Sequence, residues 1–277
     1  MNHIYKPSLM RVENIKQETP DVKTFRLVFL DPVLRETFQF KAGQFGEFSI
    51  FGEGESTFCI ASSPSWRGFI ECSVKMAGKV TQAMHQLDVG DVIGFRGPYG
   101  NHFPIKQMEE KDLVFVAGGI GIAPLRSLIW NCLYSRDKFG KITILYGARS
   151  VADLVYKDEL ITWEKRHDIN FVKTVDPGGE TEDWNGRVGF VPLVMRDLEL
   201  DPTNAYAIVC GPPIMIKFTV QGLDAMGFNA EKIITTLEMK MKCGLGKCGR
   251  CNIGSTYVCK EGPVFTFAQI QAMPAEF

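Results

Sequence analysis

The chain has 277 residues, 31 basic and 32 acidic, and its formal charge of −1 gives no electrostatic reason to expect nucleic acid or an anionic membrane as partner. With 45% hydrophobic residues it has material for real cores, and the length suggests two domains and a small third piece. The first residues show no charged-then-apolar leader, and the longest apolar run, 113–125, is too short and too rich in glycine to span a bilayer, which predicts a cytoplasmic protein. Cys59, Cys72, Cys132 and Cys210 are widely spaced without a framework pattern, as expected of reduced thiols.

In chain order, alternating apolar residues predict short strands at 10–15, 22–30, 45–50, 69–74 and 92–95. Turn signals such as Phe51-Gly52-Glu53-Gly54 and Gly97-Pro98-Tyr99-Gly100 separate them, which argues for a small antiparallel β-barrel over 1–104. One helix, 82–87, interrupts the strands behind Gly78-Lys79-Val80-Thr81. Free N–H groups and the positive dipole end at such a start suit a pyrophosphate, although a threonine N-cap gives the same pattern without a ligand.

After a polar bridge the period changes. A continuous apolar strand, 113–117, runs into the glycine turn Gly118-Gly119-Ile120-Gly121-Ile122-Ala123-Pro124 and a helix, 125–134. Strand, glycine turn and helix open a parallel α/β unit. Strands at 141–146, 169–175, 205–209 and 232–236 alternate with helices at 156–167, 191–197 and 214–226, giving a doubly wound parallel sheet over 110–237. Ligands bind such sheets at the carboxyl ends of the strands, where this turn and Cys210-Gly211-Pro212-Pro213 fall. The turn is not a GxGxxG fingerprint, and alone it fits a bland strand-to-helix connection as well as a dinucleotide site. Arg149 follows the second strand where an acid would favour NAD; an arginine there can pair with a 2′-phosphate, so NADH and NADPH both stay open.

Residues 238–277 hold half of the eight cysteines: Cys243, Cys248, Cys251 and Cys259, spaced C-x4-C-x2-C-x7-C. The first three match the plant-type run that wraps a [2Fe-2S] cluster with thiolates. Gly244, Gly246 and Gly249 free the backbone to aim N–H groups at the sulfurs. The rival for the same ligands is a structural zinc site, although zinc ribbons usually show two separated C-x2-C knuckles. His3, His85, His102 and His167 match no ligand spacing and read as surface or capping residues.

The order of these parts resembles the ferredoxin–NADP reductase family: a flavin-binding barrel, then a nicotinamide-binding α/β domain. With the cysteine loop added, the chain is most similar to an iron–sulfur-bearing sub-group. That sub-group includes the electron-transfer subunit of dihydroorotate dehydrogenase B, the sulfhydrogenase gamma subunit and one of the subunits of anaerobic sulfite reductase. The stretches 241–254 and 257–266 resemble the latter two more closely.

The resemblance implies FAD contacts at Ser56, Thr57, Phe58 and Cys59, at Ser73, Val74 and Lys75, and at Gly78, Val80 and Thr81. Ser56 stands where the family has an arginine for the flavin pyrophosphate, and Cys59 where it has a hydroxyl. The resemblance also implies NAD(P)H contacts at Gly118, Gly119, Gly121, Ala123, Pro124, Arg149, Cys210, Gly211, Pro212 and Met215, with Cys210 near the nicotinamide. The implied function is an electron-transfer subunit carrying electrons between NAD(P)H and a larger partner subunit of hydrogenase, sulfite reductase or heterodisulfide reductase type, through FAD and [2Fe-2S]. The cofactors carry that chemistry, so no general base is required. Two other readings use the same residues: a nucleotide-sensing docking protein that holds zinc, and a stand-alone NAD(P)H reductase for a diffusible acceptor.

Overall fold

The computed structural model describes residues 4–274. Six strands form the first sheet: β1 (Ser8–Thr19), β2 (Val22–Phe29), β3 (Phe45–Ile50), β4 (Gly54–Cys59), β5 (Ile70–Lys75) and β6 (Val92–Tyr99). Their order is β4-β3-β6-β1-β2-β5, all pairs antiparallel, and the sheet curls until its end strands β4 and β5 touch. The barrel is filled from alternate strand positions by Phe25, Leu27, Phe48, Ile70 and Phe95, and the Phe48 and Phe95 rings meet edge to face at 5.2 Å. Two helices belong to this domain, α1 (Pro32–Thr37) and α2 (Lys79–His85).

A short helix, α3 (Ile105–Met108), leads into the second sheet: β7 (Asp112–Gly118), β8 (Ile142–Ala148), β9 (Asn170–Val175), β10 (Arg187–Val188), β11 (Ala205–Cys210) and β12 (Ile233–Thr236). These strands are parallel, in the order β10-β9-β8-β7-β11-β12. Helices α4 (Ile122–Tyr134), α5 (Lys157–Glu164), α6 (Val191–Arg196) and α7 (Pro213–Ala225) cover it. The unbroken apolar run of β7 follows from burial on both faces. Leu113, Phe115 and Ala117 enter the core that holds α4, while Val114 and Val116 enter the core beneath α6 and α7.

The remaining chain forms a hairpin, β13 (Asn252–Ile253) and β14 (Thr256–Tyr257), then α8 (Val258–Glu261), β15 (Val264–Thr266) and α9 (Phe267–Gln271). β15 returns to the second sheet and pairs antiparallel with β12, so the cysteine segment is tied to the nucleotide domain at its far end. Its own small core joins Met241, Cys251, Ile253, Val258, Cys259 and Phe265 to Phe45 of the barrel. The chain is thus a β-barrel followed by a parallel α/β domain with a cysteine module, as the sequence implied. Among the described residues, no helix is long and apolar enough to cross a membrane.

Candidate functional site

The strand order of the second sheet reverses between β7 and β11, and in such sheets ligands bind at that point, outside the carboxyl ends of the strands. Both glycine turns meet there. Cys210 lies opposite Ala117 in the β11–β7 register. A Cβ on Gly121 would come within 2.6 Å of the Cys210 carbonyl and of Gly211, and one on Gly118 would overlap the Met215 sulfur and reach within 3.1 Å of Pro212. Gly119 has φ +54, a left-handed conformation that favours glycine. Ala123 is buried in the core, and Pro124 lies in the first turn of α4. Arg149 projects from the end of β8 with its side chain 74% exposed, 3.6 Å from Asp153.

The expected flavin residues sit mainly on β4. Cys59 packs on the nucleotide-domain core. Burial, then the neighbouring Cys210 and Glu238, push the Cys59 thiol well up, and burial pushes Cys210 up to about 12 although Thr236 lies 3.0 Å from its sulfur. The structure therefore brings the end of β4 to the nucleotide turn. Phe58 turns its ring to Phe48 at 5.6 Å, and Ser56 stands opposite Phe48 in the register. The Ser73 hydroxyl bonds Thr24 at 2.7 Å and the Tyr156 hydroxyl, Val74 is core, and Lys75 pairs with Asp21 at 3.2 Å.

Helix α2 begins at Lys79, three residues before the expected start, because Gly78 is its N-cap. Thr81 is therefore not the cap: its hydroxyl accepts from the N–H groups of Ala77 and Gly78, both at 2.8 Å. Val80 packs on the barrel core. His85 bonds the Val74 carbonyl at 2.8 Å and His102 the Phe103 carbonyl at 2.9 Å, while His3 lies outside the described residues.

All four module cysteines are free thiols. The side chains of Cys243 and Cys248 reach one another, as do those of Cys251 and Cys259. Among the described residues, no three His, Cys, Asp or Glu side chains converge on one point that could hold a single ion. Two pairs are the donor set of a binuclear cluster, with two thiolates for each iron. The backbone fits that reading. Gly246 N–H lies 3.1 Å from the Cys259 sulfur, and Leu245 and Lys247 N–H groups lie 3.4 Å from that of Cys243. Gly244 and Gly246, at φ +69 and +70, make this turn, and a Cβ on Gly244 would overlap the Tyr99 ring. Burial raises Cys243, but the N–H groups of Leu245, Lys247 and Cys248 outweigh it and bring the thiol down to about 7.

Sequence reasoning missed the charges that join these parts. Glu47 on β3 is opposite Thr57 on one side and Arg96 on the other. It is fully buried; one carboxylate oxygen accepts the Thr57 hydroxyl at 2.8 Å and the other has no partner. Arg96 forks onto Glu55 and donates to the Cys243 carbonyl at 3.2 Å. On the other side of the barrel, Arg126 of α4 reaches the Ala61 carbonyl at 3.0 Å, Glu71 at 2.8 Å and Glu159 at 2.9 Å, locking the two domains together. Only Arg126 left a trace in the sequence, as the lone charge in an otherwise apolar helix.

Fold and site together define a flavin- and pyridine-nucleotide-binding oxidoreductase with an attached cysteine module. Residues 9–103 match the oxidoreductase FAD-binding domain and 115–221 the oxidoreductase NAD-binding domain. Residues 238–271 match the iron–sulfur cluster binding domain of dihydroorotate dehydrogenase B. The sulfhydrogenase 1 gamma subunit of Pyrococcus furiosus is 39% identical over 96% of this chain and 92% of its own. A probable electron-transfer subunit of dihydroorotate dehydrogenase B (NAD(+)) from Methanocaldococcus jannaschii is 34% identical over 94% and 90%. Among solved structures, an NADH-dependent reduced ferredoxin–NADP oxidoreductase shares the fold with TM-score 0.76 at 24% identity, covering 99% of this chain and 91% of its own. The chain belongs to the ferredoxin–NADP reductase family, in the iron–sulfur-bearing sub-group of these electron-transfer subunits. It is an FAD-, NAD- and iron–sulfur-binding oxidoreductase, and the iron–sulfur match takes the place of the zinc reading.

Proposed function

We propose that the chain is the electron-transfer subunit of a larger cytoplasmic redox complex, linking NAD(P)H to a partner catalytic subunit of hydrogenase, sulfite reductase or heterodisulfide reductase type. The observation that carries this reading is the position of β4. Its end residue Cys59 lies at the nucleotide turn beside Cys210, and its Glu55 is joined through Arg96 to the cysteine loop.

In this reading the chain divides into 1–104, 110–237 and 238–277. FAD is held by Ser56–Cys59, by Ser73, Val74 and Lys75, and at Gly78, Val80 and Thr81. NAD(P)H lies on Gly118, Gly119, Gly121, Ala123 and Pro124, and on Cys210, Gly211, Pro212 and Met215, with Arg149 at the ribose end. The paired thiols of Cys243, Cys248, Cys251 and Cys259 fit a [2Fe-2S] cluster better than a single zinc ion. When bound, FAD and the cluster supply the conversion of a hydride pair into single electrons. The protein's part is positional. The close-packed glycine turns admit the dinucleotide, the half-buried Cys59 and the buried Cys210 stay protonated, and Arg96 fixes the loop against the barrel.

The test is the visible spectrum of protein purified without oxygen, with iron and zinc assayed on the same sample. Flavin bands and a broad iron–sulfur absorption that bleach with NAD(P)H are expected. A colourless protein with one zinc would refute the reading.

A further inference from the structure

Charge is balanced over the whole chain, 31 basic against 32 acidic, yet between Glu238 and Glu261 there are five basic residues and no acidic one. Lys240, Lys242, Lys247, Arg250 and Lys260 are all exposed. Lys260 lies 3.8 Å from Glu261, but among the described residues no ion pair engages Lys240, Lys242, Lys247 or Arg250. Lys247 stands 5.9 Å from the Tyr5 ring, and Lys242 senses Glu55 at longer range.

The four cysteines differ in access. Cys251 and Cys259 are each 1% exposed and lie in the core shared with Phe45, Cys243 is half-buried, and Cys248 is exposed. The cysteine site thus has an inner side against the flavin barrel and an outer edge at Cys248. Two of the cations flank the outer edge in the chain, Lys247 preceding Cys248 and Arg250 following it by two, and the exposed Lys242 precedes the half-buried Cys243. A partner that exchanges electrons at this edge must approach through them. Unpaired charges of one sign steer oppositely charged partners, raising association rates by roughly 10- to 1,000-fold at low salt, and repel like-charged ones.

We propose that this basic collar is a docking surface for an acidic face of the redox partner, which meets the cluster edge at Cys248. The proposal rests on the electron-transfer reading above. The rest of the chain, 26 basic against 32 acidic residues, is net acidic, which argues against a nucleic acid or an anionic membrane as the occupant.

The experiment uses the holoprotein with NAD(P)H and two haem acceptors of opposite charge, acidic cytochrome b5 and basic cytochrome c. Cytochrome b5 reduction should slow about tenfold as salt rises from about 0.02 to about 0.5 M, and cytochrome c reduction should not slow. The combined substitution Lys242→Glu, Lys247→Glu and Arg250→Glu should exchange the two salt dependences while NAD(P)H still bleaches the flavin at the wild-type rate. The milder Lys242→Ala, Lys247→Ala and Arg250→Ala should flatten both. Equal salt dependence for the two acceptors in the wild type, or a reversed variant that behaves like it, overturns the collar and leaves electron transfer standing. Flavin that bleaches while neither haem is reduced overturns the electron-transfer reading itself. Binding to phosphatidylglycerol vesicles that the reversed variant loses would assign the collar to a membrane and overturn the protein-docking proposal.

Discussion

The Cys243 carbonyl accepts a hydrogen bond of 3.2 Å from the Arg96 guanidinium, so a residue of the flavin barrel holds the first expected cluster ligand in place. Arg96 is 6% exposed and its charge is matched by Glu55. Arg96→Gln leaves Glu55 without its partner in a half-buried site and should destabilise the protein by about 3 kcal/mol, the lower end for breaking a buried pair. It also removes a cation beside the cluster and should move the cluster's midpoint potential to more negative values. Arg96→Lys keeps the charge but not the fork, so it should recover the potential better than the stability. Thermal unfolding and a redox titration followed by electron paramagnetic resonance read the two effects separately.

Glu47 makes stability depend on pH in an unusual direction. Burial, only partly offset by the Thr57 hydroxyl and reinforced by nearby Glu55, raises its carboxyl from 4.5 to about 7. The folded state then holds the proton more tightly than the unfolded chain. Stability is greatest below the unfolded value and is lost as pH rises through about 7, by an upper bound of roughly 3 kcal/mol. In Glu47→Gln the drop in melting temperature between about pH 5.5 and about pH 8.5 should shrink. An unchanged drop would show that Glu47 is not the group responsible.

How much of this was legible follows from where the constraints act. β7 was readable because a strand buried on both faces must be apolar throughout, and the iron–sulfur domain because its cysteines keep a spacing that such sites use. β4 was absent from the strands read by alternation: Gly54-Glu55-Ser56-Thr57-Phe58-Cys59 answers to polar partners such as Ser49 and Glu47 rather than to a simple core. Glu47 and Arg96 look like solvent-facing positions, and only tertiary pairing shows that they are buried. The pairing of β15 with β12 is long-range, and no local pattern in Val264-Phe265-Thr266 announces it.

Arg126 is a buried lock between the two domains. It is 4% exposed, bound to Glu71 of the barrel and Glu159 of α5, with its guanidinium 4.6 Å from the Tyr156 ring centroid. Arg126→Leu strands the Glu159 carboxylate, while Glu71 keeps Arg26 at 2.9 Å, and should cost about 3 kcal/mol. Adding Glu159→Gln should recover part of that loss, because the stranded charge is removed. Equilibrium denaturation of the single and double variants measures the coupling.

In the proposed function Arg149 stands at the ribose end of the dinucleotide. Its side chain is largely solvent-exposed and only loosely held by Asp153, so it is free to reach a 2′-phosphate, and its loss should change stability by less than about 0.5 kcal/mol. Arg149→Ala should raise the Michaelis constant for NADPH about tenfold or more, the worth of one charge-assisted hydrogen bond, and leave that for NADH nearly unchanged. An equal rise for both would reject the phosphate role.

Cys251→Ser tests whether the flavin and cluster sites are modular. The thiol is buried with Cys259, Val258 and Phe45, in a core distinct from the Phe25, Phe48 and Phe95 core of the barrel. Removing it should abolish the iron–sulfur absorption and loosen the segment around Met241 and Ile253, while the barrel keeps its packing and the chain retains flavin. NAD(P)H should still bleach that flavin, but reduction of one-electron acceptors should fall at least tenfold if the cluster is the exit for electrons. Flavin lost from a still-folded chain would mean that Phe45, which belongs to β3 yet packs on the cysteine module, transmits the damage to the flavin strand paired beside it.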